Sequence, residues 1–321
     1  MQRSLKDYLI ITLKGLAMGA ADVVPGVSGG TIAFISGIYE ELIETIHRLD
    51  IKFFKTWRKD GLFSAWESYN LSFLVALFLG IVISILSLAK LIKWLLHHQP
   101  LLLWAFFFGL VIASILYIGK QINSWSPKTI ISVIVAAVLS YFLTVAEPLS
   151  SPENNWYLLF CGFIAIIAMI LPGVSGAFIL LILGAYQTFI DILNQLRNGI
   201  INLDFDAVYQ SLSKIIIIGI GALIGLKLFS KILNWMFKNH NNITLAILTG
   251  FMIGSLNKLW PWKKVLSWRV NSEGIKVPFI EKSILPTTYE GDPKIFLVIL
   301  LVSLGFLLIF TLERLAVKKE Q

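Results

Sequence analysis

The sequence predicts an all-α integral membrane protein built as two inverted repeats, each a re-entrant helical hairpin followed by about three transmembrane helices. Three observations predict it. The composition is 57% hydrophobic and 14% charged, with mean hydropathy +0.79, where soluble domains carry about 25% charge. A nine-residue stretch beginning PGVSG occurs twice, at 25–33 and 172–180. Each copy interrupts a long apolar run, because Pro lacks an N–H and Gly favours the unfolded chain.

The first repeat covers 1–150. Its hairpin is expected over 9–46, with the break at Pro25 and Gly26. Residues 47–70 carry Arg48, Lys52, Lys55, Arg58 and Lys59 and read as a polar loop. Spans follow near 71–92, 101–119 and 129–146, and then a short acidic connector with Glu147, Pro148, Pro152 and Glu153. Asp7, Lys14 and Asp22 interrupt the first apolar run and no A-x-A site follows, so no cleavable signal peptide is expected.

The second repeat covers 151–321, with its hairpin over 156–196. Trp156 to Tyr186 holds 31 residues and no charge. As one helix it would be roughly 46 Å long at about 1.5 Å per residue, against a hydrocarbon core about 30 Å thick. That is too long for one upright span and too short for two spans and a turn, so a hairpin that leaves on its own side fits it best. Residues 197–213 read as a polar loop, spans follow near 215–235 and 243–257, and 258–294 reads as a long polar loop before the last span near 295–312. Trp94, Trp104, Trp156, Tyr157, Trp235 and Trp260 fall near span ends, as an aromatic belt requires. The two repeats together form one membrane domain.

The repeat extends beyond PGVSG. At an offset of 147, Gly15 matches Gly162 and Ile35-x-Gly37-x-Tyr39 matches Ile182-x-Gly184-x-Tyr186. Beyond the polar loop, at an offset of 141, Gly80 meets Gly221, Lys90 meets Lys231, Gly109 meets Gly250 and Ser114 meets Ser255. A hairpin that returns to its own side leaves each half with an odd number of crossings, so the halves must be inverted. That is the plan of many secondary transporters, with the site where the broken segments meet. The bias of Lys and Arg puts both termini on the cytoplasmic face.

The motifs suggest the chemistry. PGVSGGT brings together Pro25, Gly26, Ser28, Gly29, Gly30 and Thr31, and the second copy brings Pro172, Gly173, Ser175 and Gly176. Backbone N–H groups at a helix start bind anions, phosphate above all, and glycine lets a ligand approach the backbone. The bland reading is that these small residues only allow helices to pack closely. Ionisable residues at membrane depth are functional candidates, which singles out Asp22, Lys14 and Glu40 for a charge or proton role. Glu40 also reads as an ordinary solvated helix end. The single Cys161 and four scattered histidines give no metal cluster, and no cofactor is expected. The net charge of +8 fits a cytoplasmic face and anionic lipids and does not require nucleic acid.

Gly19-Ala20-Ala21-Asp22-Val23-Val24-Pro25-Gly26-Val27-Ser28-Gly29-Gly30-Thr31, with Pro172-Gly173-Val174-Ser175-Gly176 in the second half, resembles the PopT family of bacterial membrane proteins over nearly the whole chain. The resemblance implies a transporter, not an enzyme, for polyprenyl phosphate, chiefly undecaprenyl phosphate. It implies return of that lipid to the cytoplasmic leaflet of the bacterial inner membrane for cell-envelope glycan synthesis. Besides membrane lipids, a coupling ion, proton or sodium, is an open partner, as is the oligomeric state. One alternative is a membrane polyprenyl-diphosphate phosphatase with a related Pro-Gly-x-Ser-Arg-Ser-Gly motif. Here Gly29 and Gly176 follow the serines and neither broken segment contains Arg, which argues against catalysis. The other alternative is an ion-coupled transporter of a small soluble anion.

Overall fold

The computed structural model describes residues 3–24, 27–149, 154–270 and 276–317. Pro25 and Gly26 of the first motif lie outside the described residues, as do Pro152 and Glu153 of the connector. The first half runs α1 (Leu5–Val23), α2 (Gly29–Ile35), α3 (Tyr39–Arg48), α4 (Ile51–Ser68), α5 (Leu71–His98), α6 (Pro100–Gln121) and α7 (Pro127–Val145). The second runs α8 (Asn155–Ile170), α9 (Gly176–Ile182), α10 (Ala185–Asn202), α11 (Phe205–Asn239), α12 (Asn241–Leu259), the strands β1 (Lys263–Val270) and β2 (Lys276–Ser283), and α13 (Ile295–Val317).

Local chemistry sets the helix starts. Side-chain oxygens take the orphan N–H groups of a first turn. Asp50 accepts from Lys52 N at 2.8 Å, Asn154 from Tyr157 N at 2.7 Å and Asp204 from Ala207 N at 3.1 Å. Pro100 and Pro127 open α6 and α7, where a missing N–H costs nothing. Gly37 and Gly184, one repeat apart, adopt φ of +72° and +69°. Each turns the chain between a seven-residue helix and the amphipathic helix that follows, a backbone conformation only glycine takes readily.

Packing repeats as well. α1 lies on α5 as α8 lies on α11. A Cβ on Gly80 would run into the Thr12 carbonyl, and one on the matching Gly221 into the matching Leu159 carbonyl. Small residues thus bring the backbones of both pairs together. α6 and α12 pack on each other in the centre, and each is flanked by the last helix of the other half: α6 by α13, α12 by α7.

Four helices among the described residues, α5, α6, α7 and α11, are long and apolar enough to cross a membrane, or five counting α9 with α10, which meet at 110°. Val75, Phe78, Val82 and Leu86 on α5 and Ile131, Ile134, Val138 and Phe142 on α7 are exposed. A soluble protein rarely exposes apolar patches of that extent. This is the surface of a multi-pass membrane protein.

Several sequence expectations are corrected. The loop read at 47–70 holds α4, bent at Gly61. Phe53, Phe54 and Trp57 give α4 an aromatic side amid its charges, so it looked too polar to be a buried or spanning helix. The loop read at 197–213 is the end of α10 and the start of α11. The loop read at 258–294 contains an antiparallel hairpin, β1 on β2, with Lys264 opposite Lys282 and Trp268 opposite Pro278. The span expected at 243–257 is α12, whose 19 residues are long enough but not apolar enough to rank among the lipid-crossing helices. Most of its residues from Thr244 to Leu259 are buried, Thr244, Thr249 and Ser255 among them, while Ile253 is exposed, so protein rather than lipid surrounds those polar residues.

Candidate functional site

Both broken segments double back on themselves. Arg3, just before α1, pairs with Glu41 at the start of α3 at 2.7 Å. Tyr157, at the start of α8, donates its hydroxyl hydrogen to the Leu183 carbonyl just past α9. The two ends of each segment therefore lie close together, with the described residues of its motif in the turn between.

The two tips cross. Ser28 caps α2 by accepting from Gly30 N at 3.1 Å, and its hydroxyl donates to the Leu171 carbonyl at 3.2 Å. Thr31 Oγ1 accepts from Gly173 N at 2.9 Å. Tyr39 donates its hydroxyl hydrogen to the Ile170 carbonyl at 3.1 Å. The last carbonyls of α8 have no partner in their own helix, and donors from the first tip supply it. Ser28, Thr31 and Tyr39 are all nearly fully buried. A Cβ on Gly30 would meet the Ile170 carbonyl, so the crossing needs a bare backbone there.

The crossing is one-sided. Ser175 occupies the place of Ser28 and is buried as a residue, but its side chain makes no cap hydrogen bond. Phe178 stands where Thr31 would be, and Met169 where Asp22 would be. Asp22 itself, partly buried at the end of α1, accepts from Gly29 N at 2.6 Å. A carboxylate therefore already sits on the leading N–H of α2.

Asp22, Ser28, Gly29, Gly30, Thr31 and Gly173 are thus brought together. Pro172 is buried, and Gly176 lies against the Ala165 carbonyl. Lys14 is not among them: its ammonium donates to the Ser36 carbonyl at the end of α2, 2.6 Å away. Glu40 is exposed at the start of α3. Sequence reasoning passed over Tyr39 as a contact, although it belongs to the repeated G-x-Y. It also missed a cluster beside the second tip. Lys258, at the end of α12, lies 4.9 Å over the Phe178 ring and 3.6 Å from Glu281. Lys263 lies 3.7 Å from the same carboxylate and 3.4 Å over the Trp104 ring. Nothing in the local sequence pairs α12 with β2.

The model of the VCA0040-like family, described as undecaprenyl phosphate translocase-like, matches residues 18–277. A polyprenyl-phosphate transporter of Vibrio cholerae serotype O1 is 42% identical over 316 residues, covering 97% of this chain and 98% of that protein. A polyprenyl-phosphate transporter of Staphylococcus aureus is 32% identical over 287 residues, covering 84% and 92%. No solved structure matches the chain significantly.

Proposed function

The chain belongs to the VCA0040-like, undecaprenyl phosphate translocase-like family, and from that premise we propose that it transports polyprenyl phosphate. In this reading it returns undecaprenyl phosphate from the outer to the cytoplasmic leaflet of the bacterial inner membrane. The two halves stand inverted in the bilayer, both hairpins are re-entrant, and both termini are cytoplasmic. The ion pair of Arg3 with Glu41 supports re-entry, since the ends of a crossing segment would stand about 30 Å apart.

The phosphate is held where the tips cross. The observation that carries this is the Asp22 carboxylate on Gly29 N. An oxyanion sits there on the helix that carries the hydroxyls of Ser28 and Thr31, in surroundings too apolar to tolerate an unpaired one. A phosphate oxygen and an ionised carboxylate cannot share one N–H. An incoming headgroup must displace Asp22 or meet it protonated, so Asp22 is where a coupling proton acts. Lys14 braces the hairpin from its Ser36 contact. The phosphatase alternative lacks its leaving-group cation, because neither hairpin contains Arg.

The test uses purified protein in liposomes loaded asymmetrically with short-chain polyprenyl phosphate, with polyprenyl diphosphate assayed in parallel for release of inorganic phosphate. Leaflet exchange without phosphate release is expected. Phosphate release would make the protein an enzyme. Asp22→Asn and Ser28→Ala are expected to abolish exchange while the protein still purifies as a folded species. Full exchange in both would overturn the tip site.

A further inference from the structure

A second feature lies at the end of α3 opposite Tyr39. The end of α3, both ends of α4 and the last third of α11 line an open cavity of about 710 Å³. Its charged lining is Arg48, Lys52, Lys227 and Lys231 against the single carboxylate of Asp50. That carboxylate is engaged locally, accepting from Lys52 N at 2.8 Å. Arg48 is engaged too, with Glu44 at 2.9 Å. Lys227 reaches across from α11 and donates to the Ile46 and His47 carbonyls at 2.9 and 3.2 Å, which fixes its ammonium at the cavity wall. Lys52 and Lys231 have no carboxylate partner among the described residues. The surplus of positive charge acts on His47, whose pKa is held below its ordinary value, by burial first and then by Lys227, Lys238 and Lys231.

Exposed apolar residues outside the lining flank it on two helices. On α11 the basic pair Lys227 and Lys231 runs beside an exposed apolar stripe, Ile224, Leu228 and Ile232. On α4 the charges of the first turn are interleaved with exposed Phe54 and Trp57. A solvated basic face, the ordinary fate of lysines at a membrane surface, needs no concavity and no apolar margin. A volume within the range of small-molecule sites, about 300–1,000 Å³, with a cationic floor and an apolar, aromatic margin, matches a ligand with an anionic head and a hydrocarbon tail.

We propose that this cavity is a docking site for the phosphate headgroup of a lipid, on the face that carries the N-terminus, with the tail lying along Ile224, Leu228 and Ile232. It is a second site, distinct from the tip crossing: its lining holds none of Asp22, Ser28, Gly29, Gly30, Thr31 and Gly173, and on α3 it begins at His47, whereas the contact with the second tip is made by Tyr39 at the other end of that helix. It draws on the transport reading only for the identity of the tail. Two lipids supply this chemistry: polyprenyl phosphate, a monoester with up to two charges, and an ordinary anionic phospholipid with one.

The test is equilibrium binding of two probes, short-chain polyprenyl phosphate and phosphatidylglycerol, to the full-length protein in nanodiscs of zwitterionic lipid. The Lys52→Gln/Lys231→Gln double variant is compared with Lys128→Gln, whose side chain is exposed elsewhere. Loss of about tenfold in affinity is expected for the double variant, and none for Lys128→Gln. Loss confined to polyprenyl phosphate identifies the carrier lipid as the occupant, and equal loss for both probes identifies a general anionic-lipid site. Unchanged binding of both probes overturns the proposal. Lys52→Glu/Lys231→Glu repeats the test with reversed charge, so that a small effect of neutralisation does not hide the site. Asp22→Asn separates the two readings: it is expected to keep this affinity while losing leaflet exchange. Wild-type protein that binds at these lysines but shows no exchange would sink the transport reading alone.

Discussion

Thr31→Val isolates one of the hydrogen bonds that join the two halves at the tips. Valine matches threonine in shape, so the substitution removes one acceptor and little volume. Thr31 Oγ1 is the partner of Gly173 N at 2.9 Å, and the threonine is 1% exposed. Water does not replace the lost oxygen. A buried donor left unsatisfied costs about 1–3 kcal/mol. That energy is lost from the crossed state alone, so the population with separated tips rises about 5- to 150-fold. Amide exchange reads this directly, because the Gly173 amide exchanges only when the crossing opens. Hydrogen exchange of peptides spanning 168–178, in detergent micelles, is expected to quicken by that factor. Ser87→Ala serves as the control: Ser87 bonds to the Ile83 carbonyl in its own helix and is exposed. Unchanged protection at Gly173 in Thr31→Val would refute the claim that this bond holds the tips together, whatever transport did.

Further predictions concern packing and charge. Gly221→Ala forces a Cβ into the Leu159 carbonyl, whereas Gly219→Ala meets nothing within 4 Å. The first is expected to lower thermal stability by about 1–3 kcal/mol and the second to leave it unchanged or slightly raised, as read by melting in detergent. Burial lowers the Lys263 pKa from 10.5 to about 7, although Glu281 pulls it up. The unfolded hairpin therefore binds a proton between pH 7 and 10.5 that the folded one does not, so stability rises with pH across that window. Below pH 7 the burial cost is present in full. Unfolding of the β1–β2 hairpin, followed by fluorescence of the tryptophans around it, is expected to move to higher temperature from pH 7 to pH 10. Lys263→Met is expected to be more stable at pH 7 and flat over the same window.

What the sequence revealed and what it hid differ by mechanism. The breaks at PGVSG were legible because Pro and Gly act on their own backbone, whereas Gly37 and Gly184 stood out only as matched positions of the repeat and not as turns. The matched glycines of α5 and α11 were legible as pairs, though not their purpose, which depends on a carbonyl of another helix. α4 was missed because charge and aromatics alternate along it, and an interfacial helix shares that composition with a loop. β1 was missed because its strand pattern is eight residues long and the sequence between it and its partner, Asn271 to Ile275, holds no Asn-Gly or Asp-Gly signal. Tyr39, Lys258 and Lys263 were out of reach for a different reason. Their partners, Ile170, Glu281 and Trp104, lie 131, 23 and 159 residues away. Internal symmetry suggested that the tips would meet. It gave no warning that one tip would supply most of the bonds.

The exchange of flanking helices has a consequence for how the chain is made. α6 emerges from the ribosome roughly 180 residues before α13, the helix that covers Gly109. α7 likewise waits for α12. A nascent chain that has completed residue 149 carries two helices whose closest-packing faces have no neighbour; α7 gains its own when α12 is made, and α6 only when α13 is inserted. The halves look like a duplicated unit, yet neither is a unit of synthesis. Residues 1–149 expressed alone would present those faces to lipid or to each other, and co-expression with the remainder is the way to give them their partners. Assembly of this protein is finished from its C-terminus.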